Sequence, residues 1–208
     1  MAEALEILLP KLIAGRAEFA IINHGSKDQL LKKLPERLHG YKSLSRIRKL
    51  GVLVLVDRDD DDCLMLKNKL DQIAWRPGLT TKSNPKADGT FQVVNRIVIE
   101  ELEAWFFGDI PALHAAYPKI PLSLGQQQKY RDPDAIRGGT WESLKQVLTK
   151  AGYFKEMDRL PKIEVARRIA PHMNLAANRS TSFHTFKQGL EALLALSVPG
   201  KSMECLRG

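Results

Sequence analysis

The feature that most constrains this chain is the run Gly51-Val52-Leu53-Val54-Leu55-Val56, followed at once by Asp57-Arg58-Asp59-Asp60-Asp61-Asp62. Six residues apolar on both faces predict a strand buried on both sides, the character of a parallel strand in an α/β sheet. Ligands of open α/β sheets sit beyond the carboxyl ends of the strands. The acidic knot therefore falls where such a fold would place a site. Asp57 and Asp59, two residues apart, can converge on a hard cation such as Mg²⁺, which takes oxygen ligands and keeps several waters. Like charges packed together are unfavourable unless a cation or solvent screens them. Asp57 and Asp59 are the expected metal ligands and Asp61 an optional third. Asp60 and Asp62 are expected to stand behind the ligands or to face solvent. The competing reading is a solvated aspartate-rich loop.

A second acidic group, Glu100-Glu101-Leu102-Glu103, follows another strand-like run, Phe91 to Ile99. Phosphoryl chemistry at a metal needs carboxylates from more than one segment. Glu100 and Glu103, three residues apart, would share a helical face, and both are candidate catalytic residues. Alternatively they complement the dipole of a helix start.

The rest of the chain alternates early and turns helical later. Leu5, Leu8, Leu9, Leu12 and Ile13 have helix spacing. Phe19 to Ile22 reads as a short strand. Ser26 caps a helix to about Leu38, broken or bent at Pro35. Leu64, Leu66, Leu70 and Ile73 mark a helix. Further helices are expected at Ile110–Ala116, Trp141–Gly152, Ile163–His172 and Phe183–Leu196. The connection from Pro118 to Gly139 reads as a mobile loop. The fold class is α/β, a mostly parallel sheet flanked by helices with a helical C-terminal half. The expected division is an α/β metal-binding core over 1–109 and a basic helical extension over 110–208.

The formal net charge is +8. Residues 1–109 hold 17 Lys+Arg and 16 Asp+Glu, whereas residues 110–208 hold 15 and 8. A basic half beside an acidic knot suits a polyanionic partner such as nucleic acid. Arg179, Arg131 and Arg137 are the candidate phosphate contacts. Arg179-Ser180-Thr181-Ser182 precedes the last helix, where it could hold a phosphate or simply cap the helix. The five histidines show no zinc spacing, and no Gly-rich phosphate loop or Gly-x-Ser-x-Gly elbow occurs. No apolar run approaches the roughly 20 residues of a membrane helix, and the N-terminus lacks the marks of a signal peptide. With Cys63 and Cys205 far apart, a cytoplasmic protein with reduced thiols is expected.

The stretches VLVLVDRDDDDC, VVNRIVIEELEAWFFGD, RDPDAIRGGTWE, KIEVARRIAPHM and NRSTSFHTF resemble the bacterial domain-of-unknown-function family 4276 over nearly the whole chain. That family in turn resembles Toprim-like domains, through a strand followed by Asp-x-Asp and a later Glu-x-aromatic segment. The resemblance implies a compact parallel sheet between helices, with Mg²⁺ (Mn²⁺ as a substitute) on Asp57 and Asp59. It makes Glu103 the best match to the Glu-x-aromatic segment. It also implies a strand-end glutamate before residue 1, for which Glu3 is no match; two expectations stand open, a natural start upstream of Met1 with a complete site, or a lost first strand with an incomplete one. By analogy, such proteins act beside an ATPase in bacterial defence modules.

These readings lead to a Mg²⁺-dependent, nuclease-like phosphodiester enzyme. The alternative is a non-catalytic regulatory, metal-binding or partner-binding subunit acting with an ATPase. Phosphatases with a nucleophilic aspartate after a buried strand want Thr or Val where this chain has Asp61. Nucleotide-sugar transferases with Asp-x-Asp need more chain for an acceptor site.

Overall fold

The computed structural model describes residues 2–57, 61–98 and 102–197. Asp59, Asp60, Glu100 and Cys205, all named above, lie outside the described residues. The chain is a mixed α/β protein. Its elements run α1 (Ala2–Ile13), α2 (Lys27–Leu44), β1 (Val52–Asp57), α3 (Cys63–Trp75), β2 (Val93–Val98), α4 (Glu103–Phe107), α5 (Ile110–Ala116), α6 (Thr140–Lys150), α7 (Lys162–Ile169) and α8 (Thr181–Ser197).

The two strands form a parallel pair with Val52 opposite Val93 and Asp57 opposite Val98. β1 is apolar on both faces because each face meets its own core. Val54 and Val56 pack with Leu34 and Leu38 of α2 and with Leu66, Leu70 and Ile73 of α3. Leu53 and Leu55, on the other face, pack against a larger cluster that reaches from Ala4 in α1 to Leu194 in α8. Trp105, Phe106, Phe107, Tyr117, Phe183 and Phe186 are its largest fully buried side chains. Alternation of side chains along a strand makes one sequence run serve two cores.

Local signals explain the helix boundaries. The Ser26 hydroxyl accepts from the Gln29 amide at the start of α2, as its position predicts. Asp62 does the same for α3, accepting from the Met65 amide at 2.8 Å. Gly138 and Gly139 both take positive φ, a conformation that costs glycine little. They turn the chain into α6 and so set where Trp141 emerges.

Three expectations are corrected. Phe19–Ile22 forms no strand: a strand exists only as part of a ladder, and no described neighbour pairs with this segment. Phe19 and Ile22 are instead exposed, while Ile21 packs on the larger core. Pro35 does not end α2, which runs through it to Leu44. The connection 118–139 is a packed strap of three 3₁₀ turns, Leu122–Gln126, Gln128–Tyr130 and Pro133–Ala135. Ile120, Leu124, Tyr130 and Ile136 bury themselves from it, and the Tyr130 ring stacks on Phe107 with centroids 5.1 Å apart.

Candidate functional site

Because Asp57 and Val98 share a level in the register, both strands end at the same edge. β1 delivers Asp57 there directly. The chain leaving β2 delivers Glu103 as the first residue of α4, a five-residue helix whose side chains are all buried. Asp57 and Glu103 line one cleft of about 110 Å³, together with Glu3 of α1, Leu102, and Lys162, Ile163 and Ala166 of α7. Acidic residues from three separate segments thus line one cleft at the carboxyl end of the sheet.

Their surroundings differ. Glu103 is only 6 % exposed, and a buried carboxylate persists only where hydrogen bonds, a counter-charge or a cation compensate its desolvation. Glu3 is held by Arg167, whose Nε donates to its Oε2 at 2.8 Å. Lys162 brings a positive charge into the same cleft, and its ammonium stands 4.3 Å from the centroid of the Trp141 ring.

Among the described residues no three His, Cys, Asp or Glu side chains gather tightly enough to form a ready metal cluster. Asp57 and Glu103 still fit Mg²⁺, which is ordinarily held by one or two carboxylates while waters and substrate oxygens fill its remaining positions. Both are hard oxygen donors, the ligand type that selects Mg²⁺ or Mn²⁺ over softer metals.

The other predicted site residues separate from this pair. Asp61 pairs with Lys27 at the start of α2, Oδ2 to Nζ 3.0 Å. Asp62 is a helix cap. Arg179 and Arg131 come together, Nη1 of Arg179 donating to the Arg131 carbonyl at 3.4 Å. Arg179 lines a second hollow of about 370 Å³ with Asp109, Leu122, Gly125 and Asn174. Arg137 is exposed beyond the buried Ile136. None of the three arginines lines the acidic cleft.

The start of α8 is occupied by an anion from the protein itself. The Asp134 carboxylate accepts from Ser180 Oγ at 2.9 Å, the Thr181 amide at 2.5 Å and the Ser182 amide at 3.3 Å. The Ser180 hydroxyl in turn accepts from the Phe183 amide at 3.1 Å. Of the two readings of Arg179–Ser182, the geometry is that of a cap. The Ser182 hydroxyl also accepts from the Trp105 indole at 2.9 Å, which ties α8 to the helix that carries Glu103.

Sequence reasoning gave Lys162 no role although it opens the stretch KIEVARRIAPHM, and it set Glu3 aside. It also missed a polar network at the other end of the strands. There Asp71, 4 % exposed, accepts from Asn95 Nδ2 at 2.7 Å, Ser83 Oγ at 2.6 Å and Lys67 Nζ at 3.1 Å. The usable signal was Asp71 standing on the apolar face of α3, between Leu70 and Ile73.

Among the described residues no helix is long and apolar enough to cross a membrane. No curated protein and no solved structure matches the chain. The family model described as "Domain of unknown function (DUF4276)" matches residues 1–191, and the chain belongs to that family.

Proposed function

We propose that the cleft at the carboxyl end of β1 and β2 performs Mg²⁺-dependent phosphodiester chemistry on nucleic acid, as a nuclease-like effector of Toprim-like character. The observation that carries this reading is the shared lining of one cleft by Asp57, Glu103 and Lys162. Two carboxylates from different segments can hold a divalent cation, and a neighbouring lysine can meet the phosphate it attracts. A bound Mg²⁺ would supply charge stabilisation at the phosphate and a more acidic water. Asp57 and Glu103 would hold it, with Asp59 and Glu100 as further candidates. Glu103, sheltered from solvent, is also the group suited to accept a proton from the attacking water. Lys162 would neutralise charge on the phosphate oxygens. The net charge of +8 favours a polyanionic substrate.

The test is cleavage of end-labelled DNA and RNA with Mg²⁺ or Mn²⁺. Asp57→Ala and Glu103→Gln are expected to abolish a metal-dependent activity of the parent protein. Activity unchanged in both variants sinks the assignment.

A second reading is a metal- or partner-binding subunit without turnover, acting with an ATPase. Two ion pairs favour it. Glu3 is neutralised by Arg167 and Asp61 by Lys27, which leaves fewer acidic groups for catalysis. Metal binding without cleavage of any nucleic acid would support this reading.

A further inference from the structure

Lys162 belongs to two environments at once. It lines the acidic cleft with Asp57 and Glu103, and its ammonium lies over the Trp141 ring at 4.3 Å. Trp141 is partly exposed on α6 and backs onto the larger core. An indole fixed on one side by a protein core and reached by a flexible lysine on the other is a stacking surface with a movable cover. Beside it the cleft measures about 110 Å³. A phosphate entering this small cleft would bring the base of its nucleotide within reach of the indole, because Lys162 borders both. Ile163, 55 % exposed, adds an apolar wall at the same place.

We infer that Trp141 and Lys162 form a subsite for an unpaired nucleotide, with the base stacked on the indole and its phosphate at the mouth of the acidic cleft. The inference rests on the proposed nucleic-acid reading and narrows its substrate class to single strands. Stacking displaces the ammonium from the ring face, and Lys162 then pairs with the phosphate that arrives with the base. One residue exchange thus couples base recognition to phosphate placement. A paired base inside a duplex offers no free face to the ring, so the subsite discriminates by strandedness. Base–aromatic stacking tolerates sequence, since every base has a π face, and no sequence preference follows.

The experiment uses the full chain with Ca²⁺ in place of Mg²⁺, an oxygen-seeking cation of looser geometry, and binding is read within a time over which the labelled strands stay intact on a gel. Fluorescently labelled oligothymidine and a duplex of the same length are titrated by anisotropy. The parent protein is expected to bind the single strand at least about 10-fold more tightly than the duplex. Trp141→Leu keeps apolar packing and removes the ring, and it is expected to weaken single-strand binding about 10-fold, the size of one lost stack. Lys162→Gln, on an exposed side chain, is expected to weaken it and to flatten its salt dependence. Equal binding of duplex and single strand overturns the subsite, as does unchanged single-strand binding in both variants. The two readings fail separately. Cleavage lost in Asp57→Ala but indifferent to Trp141 and strandedness removes the subsite and keeps the catalytic reading. Trp141-dependent binding without metal-dependent cleavage does the reverse.

Discussion

Asp57 ends β1 directly opposite Val98, the last residue of β2. The parallel register therefore brings the acidic strand end and the segment leading to Glu103 to a single edge. A slip of one residue would turn Asp57 to the other face of the sheet. It would also exchange Val54 and Val56 with Leu53 and Leu55 between the two cores. The packing that fixes the strand thus also fixes the candidate site.

Gly108 follows α4 where the chain from Asn178 to Ser180 crosses it. The Arg179 amide donates to the Gly108 carbonyl at 2.9 Å, and Asn178 Nδ2 donates to the Trp105 carbonyl at 2.8 Å. A Cβ on Gly108 would lie 2.2 Å from Asn178 Oδ1 and 2.9 Å from the Ser180 amide nitrogen. Gly108→Ala is expected to cost about 3 kcal/mol by overpacking. Chemical denaturation checks this, and a change of a few tenths would show that the contact yields easily.

Asp134 caps α8 from outside the helix. Asp134→Ala removes an acceptor shared by one hydroxyl and two amides, with an expected cost of about 1–2 kcal/mol. The freed helix start is then open to a solution anion. Phosphate is expected to raise the melting temperature of the variant more than that of the parent. Equal responses would mean that the carboxylate does not fill an anion position.

Asp71 anchors the network at the far end of the strands. Asp71→Ala strips Asn95, 2 % exposed, of the acceptor for its amide, with an expected cost of about 2–4 kcal/mol. The network lies away from the acidic cleft, so divalent-cation affinity measured below the transition should match the parent. A parallel loss of affinity would show the two ends to be coupled.

Burial pushes the Tyr117 phenol up to about 12, while the Arg168 guanidinium over its ring pulls the other way. Its folded value lies above the ordinary 10.0. The associated stability is fully present below about pH 10 and is lost as pH rises toward about 12. Tyr117→Phe should flatten the alkaline limb of the stability curve. An identical limb in the variant would assign that loss to other groups.

The sequence made some of this legible and not the rest, for physical reasons. β1, the Ser26 cap and helix α5 depend on neighbours in the chain, and period and capping chemistry expose them. Asp57 and Glu103 were singled out as candidates because strand ends carry sites in α/β folds. The Asp134 cap joins residues 46 to 48 apart, and no local pattern reports such a pairing. Phe19–Ile22 has strand composition but no ladder partner among the described residues, which composition does not encode. The strap 118–139 looked mobile by its Gln, Pro and Gly content, yet its few apolar residues are the ones that anchor it. Lys162 was one lysine among many until α7 folded beside Asp57.

The central claim is that the cleft binds a divalent cation through Asp57 and Glu103. Its most direct measurement is Mn²⁺ binding by isothermal titration calorimetry, competed with Mg²⁺, on the parent, Asp57→Asn and Glu103→Gln. One competable site in the parent, weakened at least about 10-fold in each variant, is the result predicted. Binding of equal strength in all three proteins, or no binding in the parent, would contradict it.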